Sequence, residues 1–282
     1  MLARTPSTGR GSERLAERRR NRRRRGVFAF GVLLLLLFGA AIYGLQQNAV
    51  RISRVEILGT DPAFISYATN AMQGGYLGII PRDSVFFFPE GRIRADILAT
   101  HQDIAAVSIS RSGFTGIVIK VDYRVPIARW CGLSPSVGVD EYCYIFDSLG
   151  FIFSAFATTT ETINNFRLYA SLEGAIIEPL RATIVHAEKL PSVFDFARQL
   201  ATFGSSVTSI VIHGDEVDMY LTSGTPSTKS DLVLGTRVSY VLGNEQNAFT
   251  ALVSARDNFN LSDGSVDYID LRFDGKVYLK KK

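Results

Sequence analysis

The chain has 282 residues, 46% of them apolar and 21% charged, a composition that excludes disordered and collagen-like classes and leaves room for two domains. Its net charge of +4 hides an asymmetry. Residues 1–25 carry ten Arg against Glu13 and Glu17, a local balance of +8, so the other 257 residues sum to −4. The basic character belongs to the tail.

Gly26–Leu45 follows, GVFAFGVLLLLLFGAAIYGL, twenty residues without a charge. At about 1.5 Å per residue a helix of that length spans about 30 Å, the hydrocarbon thickness of a bilayer. A cleaved signal peptide would have a shorter basic region, an apolar run of about 7–15 residues and a small-residue cleavage site. The five-leucine stretch Leu33–Leu37 argues against a buried soluble helix. The run therefore predicts a single transmembrane helix. Arg22, Arg23, Arg24 and Arg25 flank its N-terminal end, whereas Gln46-Gln47-Asn48 on the other side is uncharged. Basic residues stay cytoplasmic, which puts residues 1–25 inside and the rest of the chain outside. RRRNRRRR could also contact nucleic acid. Directly beside a span its expected contact is anionic headgroups, and no nucleic-acid partner is assigned.

Residues 50–130 read as one domain. A strand is expected at Arg54–Leu58. Asp61 can cap a helix with Pro62 in its first position, and Ile65, Ala68 and Met72 would share its buried face. A second helix is expected over Glu90–His101, burying Ile93, Ile97 and Leu98. Two strands with a period of two follow, Val107–Ser110 and Ile117–Tyr123. The order is β-α-α-β-β.

Cys131 and Cys143 frame CGLSPSVGVDEYC, a Ser/Pro/Gly-rich loop between two expected strands. A disulfide across it would stabilise the fold by about 3 kcal/mol and needs an oxidising compartment, in keeping with an outside location. Two buried free thiols are the alternative. His101, His186 and His213 are scattered, so no metal or other cofactor is expected.

In residues 131–282 the pattern predicts a helix over Ser192–Phe203 and strands at Val207–His213 and Glu216–Leu221. A further pair is expected at Asp231–Leu234 and Val238–Leu242, then a helix capped by Asn244. The chain closes with Ile269, Leu271 and Phe273 alternating with polar residues, a turn at Asp274-Gly275, and Val277 and Leu279 alternating again. A terminal strand often lies at a sheet edge, where free backbone groups can pair with another chain.

Five segments carry a family likeness in order. These are Val55-Glu56-Ile57-Leu58-Gly59, Ile104–Arg111 (IAAVSISR), Tyr123–Trp130 (YRVPIARW), Tyr144–Phe153 (YIFDSLGFIF) and Tyr268–Phe273 (YIDLRF). Together with a basic-tailed single span, the chain resembles the FtsQ/DivIB cell-division proteins over most of residues 50–279. Tyr123 stands where that family commonly carries Glu, and the Cys pair brackets the interdomain hairpin, which marks a divergent branch. The resemblance implies an α+β protein in four parts: a basic cytoplasmic tail (1–25), a transmembrane helix (26–45), a POTRA-type β-α-α-β-β domain (50–130), and a mixed domain with a mainly antiparallel sheet (131–282). It implies a non-catalytic scaffold of the division septum, anchored in the cell membrane, whose C-terminal region receives the bitopic partners FtsB and FtsL. On that basis Phe273, Lys276, Val277 and Tyr278 are the expected partner contacts; in a purely structural reading Phe273 and Val277 would be core. A membrane-tethered POTRA module for secretion-related or chaperone-like binding is the second reading.

An anchored cell-wall enzyme is the third. The chain holds no nucleophile elbow, no H-E-x-x-H and no phosphate-binding loop, so neither catalysis nor a small-molecule substrate is expected. Cys143 with His186 or His213 could imitate a Cys–His pair, but Asp140, Glu141 and Asp147 nearby disfavour a thiolate.

Overall fold

The basic tail from Arg10 onward and the apolar run form one helix. In the computed structural model, which describes residues 10–59, 61–135, 142–157, 160–174, 178–222, 235–273 and 275–282, α1 runs unbroken from Arg10 to Leu45. Arginine is a good helix former, so nothing ends the helix at the charge boundary. Within Arg20–Leu45 of α1, the most apolar eighteen residues have a mean hydropathy of 2.4, and none of that stretch is covered by protein. Among the described residues it is the one helix long and apolar enough to cross a bilayer.

The chain divides into two units, residues 1–100 with 106–122, and residues 101–105 with 123–282. In the first unit a short turn, Asn48–Val50, leads from α1 to β1 (Arg54–Leu58). Helix α2 covers Phe64–Ala71, later than the Asp61-Pro62 signal suggests. Asp61 instead accepts a hydrogen bond from the Ala63 amide, and Pro62 opens a tight turn before the helix. The buried face is Phe64, Ala68 and Ala71, and Met72 just after the helix is buried as expected. Ile65, expected inside, is exposed because it lies one step of about 100° away from Phe64, off that stripe.

A small ribbon of β2 (Gly75–Tyr76) and β3 (Ile80–Pro81), absent from the sequence expectation, separates α2 from α3 (Glu90–Thr100). Helix α3 buries Ile93 and Ile97, while Leu98 is half-buried. Strands β4 (Ile104–Ser112) and β5 (Gly116–Tyr123) complete a three-stranded sheet in the order β1-β5-β4, with β1 and β5 parallel. Ile117, Ile119 and Val121 are buried at every second position of β5.

The second unit is built on a nine-stranded sheet. Its strands are β6 (Ala128–Trp130), β7 (Tyr144–Phe146), β8 (Ile152–Ala155), β9 (Arg167–Tyr169), β10 (Val207–His213), β11 (Glu216–Leu221), β12 (Arg237–Val241), β13 (Val266–Asp270) and β14 (Tyr278–Lys281). They lie in the order β14-β13-β12-β11-β10-β9-β6-β7-β8. Among the described residues the sheet is mixed and, as expected, mainly antiparallel, with five of its eight strand pairs antiparallel. Pairs β9–β10, β12–β13 and β6–β9 are parallel. Helices α4 (Leu190–Ala201) and α5 (Glu245–Ser254) supply the crossovers for the first two of these, and a helical crossover returns the chain in the same direction.

One continuous core lies under this sheet. From α4 it takes Leu190, Val193, Phe196 and Leu200; from the strands it takes Leu168, Ile210, Met219, Val238 and Ile269. The hydroxyl of Tyr240 is buried in it, with the ring tilted against that of Phe196, centroids 4.6 Å apart. Strand β12 pairs with β11 on one edge and β13 on the other; the expected strand 231–234 lies outside the described residues. Asn244 sits at the start of α5 as expected, but its side-chain oxygen accepts from the Asn247 side chain, and Glu245 receives the Gly243 amide.

Cys131 and Cys143 form a disulfide, with Cα atoms 4.2 Å apart. They flank the antiparallel pair β6–β7, in which Trp130 faces Tyr144, so the strand register brings the sulfurs together. This closes the free-thiol alternative in the structure.

Candidate functional site

The last two strands create an edge. Arg272, just after β13, clamps the chain: its Nε donates to Asp270 Oδ1 (2.9 Å), one terminal nitrogen to Asp270 Oδ2 (2.6 Å) and the other to Glu216 Oε1 (3.0 Å). These bonds hold the Asp270 carboxyl below its usual range and raise the Arg272 guanidinium. The charged fork fixes where the chain leaves the sheet. The turn then brings the Lys276 amide onto the Phe273 carbonyl, with Gly275 in the left-handed region at φ +65°.

Strand β14 returns against β13, with Asp270 facing Tyr278 and Ile269 facing Leu279. Across the pair Lys280 donates to Asp267 (2.7 Å), which lowers the Asp267 pKa and raises that of Lys280.

The two ends of the large sheet differ. At the β8 end, the Ile152 amide donates to the Ala182 carbonyl and the Arg181 amide to the Ile152 carbonyl, so segment 181–184 covers that strand. Among the described residues β14 pairs on one side only, with β13. An uncovered strand offers backbone donors and acceptors to another chain.

The four expected contact residues lie together at this edge. Phe273 and Tyr278 are 52% and 48% exposed and meet edge to face, ring centroids 5.3 Å apart. Lys276 is exposed. Val277 is half-buried against the core and also lines an open groove of about 580 Å³. Phe273 is thus outside the core, and Val277 serves both sides.

The groove's other wall was missed in the sequence reading. It consists of Asn247, Thr250, Ala251 and Ser254 on α5, continued by Ala255 and Asn258. The spacing i, i+3, i+4, i+7 of small and polar residues marks a second helix face opposite the buried Ala248 and Leu252.

No family model matches the chain, and no curated protein sequence matches it.

The remaining expected site residues lie elsewhere. Arg22, Arg23, Arg24 and Arg25 are exposed on α1. Cys143 is held in the disulfide, which removes it as a nucleophile in this form. Among the described residues no group of three or more His, Cys, Asp or Glu is placed to hold a metal ion.

Proposed function

We propose that the chain is a non-catalytic, single-pass scaffold of the cell-division machinery, a divergent FtsQ/DivIB-type protein. Its C-terminal edge would bind the extracytoplasmic parts of FtsB- and FtsL-like bitopic partners at the septum. Helix α1 crosses the membrane with Arg22–Arg25 on the cytoplasmic side, and both folded units lie outside. The element order of the first unit, β-α-α-β-β once the small ribbon is set aside, supports a POTRA-type domain.

The observation that carries the reading is the uncovered β14 beside the α5 groove, with the Phe273–Tyr278 pair exposed at its start. An extended segment can add to such an edge through backbone bonds, with side chains entering the groove. Membrane tethering raises the effective concentration of a tethered partner, so a modest interface suffices. The same edge would serve a POTRA module that binds extended secretion clients, and partner identity separates the two readings.

The test is co-purification of the full chain from membranes with FtsB- and FtsL-like proteins, together with the position of a tagged copy in dividing cells. Capture of these partners and a septal band are expected. Uniform membrane distribution with no capture would sink the division role.

A further inference from the structure

Outside α1, the exposed large apolar side chains described in the first unit are unevenly placed. Leu58 and Ile65 apart, they lie in three loops. Leu77 (97% exposed) and Ile79 sit at the tip of the β2–β3 ribbon, Phe86 and Phe87 follow β3, and Phe114 (70% exposed) tops the β4–β5 turn. All three loops attach to one short stretch, the chain that leaves α1.

Gln46, directly after α1, lines a cavity of about 350 Å³ together with Gly78, Ile79 and Arg51. The Ile52 amide donates to the Asp83 carbonyl and the Val85 amide to the Val50 carbonyl, while Arg51 forms a bridge with Ser84. The amides of Ser53 and Arg54 both donate to the Thr115 carbonyl. The loops therefore encircle the first residues beyond the span.

Their side-chain chemistry is that of a bilayer interface. Leu77 is held at φ +51°, a conformation in which Gly or Asn is the usual occupant, and its side chain touches almost nothing. Arg82 lies over the Tyr76 ring (5.2 Å) and Arg111 over the Phe88 ring (6.0 Å), so cations and aromatic rings rim the apolar tips. Such a rim suits the headgroup level, with guanidinium groups near phosphates and aliphatic tips below.

We propose that these loops form an apolar collar that inserts into the outer leaflet of the membrane crossed by α1, seating the first unit on the bilayer. The occupant is the lipid around the span, because the collar is continuous with the end of α1. This rests on the reading of α1 as a transmembrane helix. It goes beyond the tether: the collar fixes the unit's height and tilt at the surface, which a flexible anchor cannot do.

The native cysteines are both in the disulfide, so a single introduced cysteine can be labelled selectively. The full chain is reconstituted in vesicles of phosphatidylcholine with a minor share of phosphatidylglycerol. An environment-sensitive dye is placed by Leu77→Cys, Phe114→Cys, Leu58→Cys or Leu35→Cys. Leu58 is the reference, exposed at the opposite end of β1, about 13 Å from Arg54 along the strand. Leu35 lies within α1 and reports on the span.

Dyes at 77 and 114 are expected to emit at shorter wavelength than the dye at 58, to lose quenching by aqueous iodide, and to be quenched by spin-labelled lipid chains. Lipid quenching at 35 without any at 77 and 114 would overturn the collar and leave the span standing. No lipid quenching at 35 would sink the span and the collar with it. Iodide protection at 77 and 114 that disappears on dilution into more lipid, without lipid quenching, would assign the face to a second copy of the chain and overturn the lipid assignment. Leu77→Ser and Phe114→Ser, both on exposed tips, should leave the unfolding midpoint in detergent unchanged and should weaken lipid quenching of a dye at Ile79→Cys.

Discussion

Arg124 and Asp147, twenty-three residues apart, form an ion pair within the second unit. Asp147 Oδ1 also receives the Leu149 and Phe151 amides, Arg124 Nε donates to the Gln102 carbonyl, and the guanidinium lies over the Phe151 ring at 4.1 Å. The pair joins two of the segments that carry the family likeness, YRVPIARW and YIFDSLG. Gly150 completes the turn: at φ +72°, a Cβ there would meet the Ala187 Cβ at 2.6 Å.

Removing one partner of this pair should cost far more than the pair itself contributes. Arg124→Ala leaves the Asp147 carboxylate, 8% exposed, without its counter-charge. We expect a loss of about 3–5 kcal/mol, read as a lower urea midpoint of the full chain in detergent. A midpoint within error of wild type would show that water already compensates the charge.

The disulfide closes a short loop and constrains the unfolded chain. Cys131→Ser with Cys143→Ser, or treatment with reductant, should lower stability by about 3 kcal/mol. Scanning calorimetry with and without dithiothreitol checks this.

Acid should loosen the terminal edge. The folded Asp270 carboxyl is depressed below its ordinary value of 3.8, chiefly by its hydrogen bond to Arg272. A depressed carboxylate contributes in full above the unfolded value, and the contribution is lost as pH falls through the lower folded value, so the loss begins below about pH 4–5. Asp270→Asn should reduce the midpoint at neutral pH and flatten the acid limb of a midpoint-against-pH curve. Parallel curves for the two proteins would refute the assignment.

The Tyr240 hydroxyl is buried with no hydrogen-bond partner among the described residues, and burial, with Glu245 nearby, pushes its pKa up. Tyr240→Phe keeps the ring on Phe196 and removes the unsatisfied group. Stability should rise by about 1 kcal/mol in the same urea titration.

Phe273→Ala with Tyr278→Ala removes an exposed pair, so the fold should survive with an unchanged circular dichroism melt. If the edge is the partner site, affinity for the captured bitopic protein should fall about tenfold or more. Scrambling 268–282 within a chain that still folds should abolish capture.

The sequence alone determined the local elements and the anchor candidate. Twenty uncharged residues set the length of α1's apolar part, and a period of two located β5 and β11. The cysteine spacing, set between two expected strands, made the disulfide a specific expectation. These properties depend on nearest neighbours and on period, both legible along the chain.

Tertiary structure decided the rest. Strand β9 has three residues and no pattern, yet Leu168 and Tyr169 are fully buried because β6 and β10 pair on either side of it. The mixed order of the sheet, the covered β8 against the uncovered β14, and the small-residue face of α5 beside Val277 all depend on which distant segments meet. So does the ring of loops around Gln46–Arg54. Backbone pairing between remote segments satisfies polar groups that are alike at every position, and periodicity therefore carries no record of the partner.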